Sequence, residues 1–243
     1  MAQYATPPIV DAVIELRFES PLSDHDKAEF SKKLSSQYPL VESREVRQYQ
    51  LDVSSGVVDQ STQERIEKRS SAEEPRGVQI GTHIFSVFSG APYEGWDSLF
   101  DRFVSAFKAA RKQLGFRKIV RVGVRYINRL DLAENSRGQV DYEDYLNLRI
   151  NLPEAFPPIS GYELGFEVSL EQYGCQARIQ SKVVEPSVPN RHSFVLDVDV
   201  WINEEIPQKE EGLYELLGSM REAKNMLFET FITDQARRSF SAD

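Results

Sequence analysis

Cysteine is nearly missing from this 243-residue chain: Cys175 stands alone, which excludes an internal disulfide framework and a cysteine-held metal cluster. It falls on the apolar parity of its strand and reads as a buried packing residue. Histidine is scarce as well, with His25, His83 and His192 nowhere spaced as ligand pairs, so no metal is expected. No apolar run approaches the ~20 residues a spanning helix needs, and MAQYATPPIV has no basic segment followed by an apolar one. Membrane association is therefore not indicated, and a cytoplasmic protein is expected. Positive charge is in deficit, with 29 Lys and Arg against 38 Asp and Glu for a net charge of -9. Such a field repels polyanions, which disfavours nucleic acid as a partner. The chain also lacks a glycine-rich phosphate loop with its lysine and hydroxyl, a Gly-x-Ser-x-Gly elbow, and a nucleophile with an identifiable base. No catalytic residue and no cofactor is assigned.

What is present is a regular alternation of periods. IVDAVIELRF puts Val10, Ala12, Ile14, Leu16 and Phe18 on one face and Asp11, Glu15 and Arg17 on the other, the pattern of a half-buried strand. Ser23 as an N-cap, with acidic residues behind it, predicts a helix over 24–36 that Pro39 stops. Strands are predicted near 44–53 and 77–89, joined by a polar stretch read as a long hairpin connection or mobile loop. YEGW reads as a helix start, and the helix after it places Trp96, Leu99, Phe103, Phe107 and Leu114 at helical spacing before Gly115. The pattern then restarts. IVRVGVRYINRL matches residues 10–16 at an offset of 110, a short helix follows at DYEDYLNLRI, and three alternating strands lead to a long amphipathic helix over 210–238. The expected fold is α+β: two similar halves, 1–116 and 117–243, form one continuous, saddle-like antiparallel sheet backed by two long helices, together a single compact domain.

PPIVDAVIELRF at 7–18, YEGW at 93–96, VRYINRL at 124–130 and FITD at 231–234 resemble the successive signatures of a sporadically distributed bacterial protein family of unknown function. The resemblance implies a cytoplasmic accessory protein, patchily inherited in the manner of antiviral-defence genes. It brings no catalytic residues with it.

Arg121, Arg125 and Arg129 recur every four residues on the parity opposite the core valines, so they point away from the helices. Glu163, Glu167 and Glu171 repeat with the same period in the next strand, followed by Arg178 and Lys182, then Asp197 and Asp199. This two-signed face admits two readings. Either it is a solvated surface with charges paired across strands, or Arg121, Arg125 and Arg129, with Glu163 and Glu167 nearby, line a concave site for a phosphate- or carboxylate-bearing ligand. A closed polyphosphate tunnel is disfavoured because only Glu15 stands where a paired Glu-x-Glu-x-Lys would begin. Asn128 falls on the core parity, where an amide needs a structural hydrogen bond. In the last helix, apolar residues off the main stripe predict that Phe228 and Phe240 meet a partner protein or a second copy. The expected function is a non-enzymatic binding or interaction protein of a bacterial accessory system, of the phage-defence kind, acting with a partner protein. The alternative is a small-anion or nucleotide-binding protein or enzyme using the charged face.

Overall fold

The alternating segment at the N-terminal side becomes β1 (Ile9–Phe18), with Ala12, Ile14, Leu16 and Phe18 buried on one face. The computed structural model describes residues 4–52, 57–134, 140–153, 155–157, 161–186 and 189–241, with backbone alone over 46–52 and 57–64. After β1 come α1 (Asp24–Leu34), β2 (Leu40–Asp52), β3 (Val57–Ser70), β4 (Arg76–Ile80), β5 (Ile84–Gly90) and α2 (Trp96–Leu114). Then follow β6 (Ile119–Ala133), β7 (Glu163–Leu170), β8 (Cys175–Val184), β9 (Arg191–Ile202), α3 (Glu210–Phe231) and α4 (Asp234–Ser241). Among the described residues the fold is α+β, with one antiparallel sheet of 9 strands in the order β2-β3-β4-β5-β1-β6-β9-β8-β7. β1 and β6 meet at its centre, Ala12 opposite Tyr126, Ile14 opposite Val124 and Leu16 opposite Val122. α2 lies on β5, and α3 lies on β9 and β6. One core cluster runs beneath them from Phe30 and Phe85 to Ile179 and Leu217, and it includes Cys175.

Local chemistry accounts for most boundaries. Ser23 accepts from the Asp26 amide at 3.1 Å, and Asp24 and Asp26 sit where the helix dipole favours anions. Gly95, at φ 100°, precedes α2 in a conformation that side chains strain to adopt. The polar stretch expected as a connection, 54–77, instead forms β3 over Val57–Ser70 and the turn into β4, while 54–56 lie outside the described residues. Antiparallel pairing with β2 along its length, joined by β4 over Glu67–Ser70, supplies its backbone partners, so the strand forms without an apolar face of its own. The single strand expected over 77–89 is a hairpin of β4 and β5, turned where the Gly81 amide donates to the Ile84 carbonyl at 2.8 Å. The short helix expected at 141–150 is a 3-10 turn at Tyr142–Asp144.

The long helix expected over 210–238 breaks. Ile232 is extended and bridges Leu146, while Asn147 donates to the carbonyls of Thr230 and Ile232 at 2.9 and 3.0 Å, satisfying groups a helix end leaves free. Thr233 then caps α4 by accepting from the Ala236 amide at 3.3 Å. The break folds α4 back, so the apolar excess is buried inside the protomer. Phe228 and Phe240, expected at an interface with a partner or a second copy, are 7% and 6% exposed, and the Tyr4 ring packs edge-on against both. Phe228→Ala should therefore lower the unfolding free energy by about 3–4 kcal/mol in urea denaturation. An unchanged midpoint would return Phe228 to the surface.

Candidate functional site

Each arginine of the row has a carboxylate. Arg121 donates to Glu15 at 2.9 Å and to Asp199 at 3.1 Å, with its guanidinium 5.8 Å from the Trp201 ring. Gly123 makes room for this reach, since a Cβ there would lie 2.7 Å from Arg121 Nη1. Arg125 grips Asp197 with Nε and Nη2, the former at 2.9 Å, and Asp197 is only 8% exposed. Arg129 donates to Asp131 at 3.0 Å, to Ser193 Oγ at 3.1 Å and to the Glu185 carbonyl at 3.0 Å. Burial pushes the Asp11 and Asp199 carboxyls up, against the pull of the nearby cations. Glu163 and Glu167 are not brought to these arginines. They stand exposed on the edge strand β7, three strand spacings or roughly 14 Å from β6. Glu167 has Arg178 at 4.0 Å. Asn128 donates to the Leu196 carbonyl at 3.0 Å, a bond to the neighbouring strand.

A second place has less internal satisfaction. On the helix side of the sheet, a cavity of about 330 Å³ opens between the N-terminal segment, the YEGW turn, β6 and α3. Pro7, Pro8 and Ile9 form one wall, Tyr93 and Trp96 another, Tyr126 and Asn128 the floor, and α3 the last side. Three of the four sequence signatures thus meet around it. The N-terminal segment is tied down by the Arg129 amide on the Pro8 carbonyl at 2.8 Å, the Thr6 amide on the Phe240 carbonyl at 3.0 Å, and Tyr4 Oη on Glu229 at 2.8 Å. Tyr93 and Tyr126 share a hydrogen bond of 2.7 Å between hydroxyls, and burial raises both phenols, Tyr93 to about 12.

Lys224 enters this cavity from α3. It is 7% exposed, and among the described residues no carboxylate pairs with it and no hydrogen-bond acceptor takes its Nζ. Its ammonium lies 3.8 Å from the Tyr126 ring centroid. Burial, with the charge of Arg221, brings it down from 10.5 to about 7, and Glu229 only partly opposes this. Arg221 itself lies 5.4 Å over the Trp96 ring and reaches Asp97 only at 4.0 Å. The other charges at the rim are taken: Glu94 by Arg102 and Ser98 at 2.6 Å and by Arg76, Glu229 by Tyr4 and by Arg237 at 2.9 Å. Lys224 was not among the expected site residues, yet the sequence carried a signal. The buried face of α3 runs Leu213, Leu217, Met220, Ala223, Leu227 and Phe228, and Lys224, four residues after Met220 and three before Leu227, is the charged residue set among them.

Two expectations follow. The unfolded chain keeps a lysine protonated to about pH 10.4, so between about pH 7 and pH 10 it binds more protons than the folded chain and stability rises with pH. Lys224→Met should therefore stabilise most at and below about pH 7, by on the order of 4–5 kcal/mol, with the gain fading toward about pH 10 in pH-dependent melts; a gain independent of pH contradicts the shifted ammonium. On the sheet face, Arg125→Ala strips Asp197 of its guanidinium and should cost about 1.5–3 kcal/mol in urea unfolding. Arg178→Ala, at an exposed pair, should cost under ~1 kcal/mol; equal costs would mean that Arg125 merely decorates the surface.

No protein-family model and no curated protein matches the chain, so its function rests on this geometry.

Proposed function

We propose that the chain is a non-enzymatic binding protein that takes a small ligand, bearing an anionic group and a flat or apolar portion, in the cavity beside α3, and acts with a partner protein. The carrying observation is the buried Lys224 cation, which forms no ion pair with a carboxylate among the described residues. An ammonium removed from water costs free energy unless paired, and an anion held between Lys224 and Arg221 supplies the missing partner. Tyr93, Trp96 and Phe228 offer ring surfaces for the remainder of the ligand. The arginine row is the weaker candidate, because its guanidiniums are already matched by Glu15, Asp199, Asp197 and Asp131.

An internal duplication belongs to the same reading. From the centre outward, β1-β5-β4-β3 in one half correspond to β6-β9-β8-β7 in the other, with β2 as an added edge. Ile14 pairs with Val124, its own counterpart at the 110-residue offset, as a local two-fold would require. In this saddle-like arrangement the cavity serves the ligand and the two-signed face remains for a partner, in keeping with the bacterial accessory, defence-type setting that the resemblance implies.

Phenyl phosphate at millimolar concentration should raise the melting temperature of the wild type by several degrees. Arg221→Ala should abolish the shift, and Arg121→Ala should leave it. A shift lost in Arg121→Ala but kept in Arg221→Ala would move the ligand to the sheet face, and no shift at all would remove this reading.

A further inference from the structure

The same cavity holds the elements of a reversible covalent bond. A primary amine becomes a nucleophile toward carbonyl carbon once it is uncharged, and enzymes obtain that state by desolvation beside a second cation. Lys224 has both conditions: it is buried, and Arg221 stands one helical turn away on the same side of α3. Among the described residues no hydrogen-bond donor is placed on its Nζ, whose contact is the Tyr126 ring at 3.8 Å, so the lone pair of the uncharged amine is not taken up by another group. Facing it are Tyr126 from β6, Tyr93 and Glu94 from the turn before α2, Tyr4 from the N-terminal segment, and Arg221 and Glu229 from its own helix.

We propose that Lys224 is the attachment site of an aldehyde-bearing ligand, held as a reversible imine in the cavity between the N-terminal segment and α3. The nitrogen lone pair adds to the carbonyl carbon, and one amine proton passes to the oxygen to give a carbinolamine. The C–O bond then breaks, the second amine proton leaves with that oxygen as water, and the C=N bond to Nζ remains. The Tyr93–Tyr126 hydroxyl pair, protonated because burial raises both phenols, relays that proton, giving one to the departing oxygen and recovering the second amine proton from nitrogen, so both phenols end as they began. The location of the ligand rests on the anion-pocket reading, while the bond to Nζ is a separate claim.

Pyridoxal 5′-phosphate is a suitable probe, carrying an aldehyde, a flat ring and a phosphate, and pyridoxine 5′-phosphate is its match without the aldehyde. The full chain is incubated with the aldehyde probe near neutral pH, reduced with cyanoborohydride, digested and mapped by mass spectrometry. The expected result is a single adduct per chain at Lys224, formed at least tenfold faster than at exposed lysines such as Lys32, with an occupancy that rises through about pH 7. Lys224→Arg, which keeps the charge, should lose the adduct. Label spread over exposed lysines with Lys224 unmodified in the wild type overturns the imine, whatever the variant does. If pyridoxine 5′-phosphate still raises the melting temperature in that case, the anion pocket stands without the bond. An adduct at Lys224 with no stabilisation by pyridoxine 5′-phosphate upholds the imine and removes the anion reading.

Discussion

The ladder between β1 and β6 is the constraint on which the other parts of the molecule depend. It is the seam between the strands of the N-terminal half and those of the C-terminal half, and its inner residues, Ile14 and Leu16 against Val124 and Val122, are fully buried. Because β1 lies in the middle of the sheet, the residues just before it are delivered to the centre of the molecule and not to an edge. That position lets Pro7 and Pro8 wall a cavity whose floor, Tyr126 and Asn128, comes from the same seam. A shift of one residue in this register would turn Tyr126 to the sheet's other face, away from Tyr93 and Lys224.

The two faces of the sheet handle charge in opposite ways. On the open face, an acidic protein carries a row of arginines because each one neutralises carboxylates crowded by neighbouring strands, and Glu15 alone serves both Arg17 and Arg121 at 2.9 Å. The wetter of these pairs contribute little beyond geometry, while Arg125 covers the nearly buried Asp197, and together they fix how β1, β6 and β9 line up. On the helix side the rim charges are paired, Glu94 with Arg76 and Arg102 and Glu229 with Arg237, while the Lys224 ammonium is set against an aromatic ring.

Legibility in the sequence followed the range of the forces involved. β1, β6 and β9 were readable from apolar alternation, and α1 from Ser23, because those signals are local. β3 was not readable: its residues have no apolar parity, and only pairing with β2 and β4 makes them a strand. The break after Phe231 left a small trace in Thr233 and Asp234, but its cause is Asn147, more than eighty residues earlier, taking the last carbonyls of α3. The parity of the arginine row was legible, and so was that of Asp197 and Asp199, but their pairing with Arg125 and Arg121 came from β9 lying beside β6. The distance of Glu163 and Glu167 from it depended on strand order, which alternation does not encode. Lys224 was hidden for the converse reason. A lysine inside an apolar stripe looks like an ordinary surface residue until the ring beneath it and the proline wall beside it are in position.

The cavity draws its walls from residues 4–9, 93–96, 126–128 and 221–229, segments that span almost the whole described chain. No fragment of the protein contains it, and no partly folded form in which β1 has left the sheet retains it. A ligand held there would bind the complete fold and nothing less, and would stabilise it by an amount set by its concentration relative to its dissociation constant. Occupation would thereby make unfolding more cooperative, since loss of any one wall forfeits the ligand together with the local contacts, and the integrity of the whole chain becomes a condition of the site.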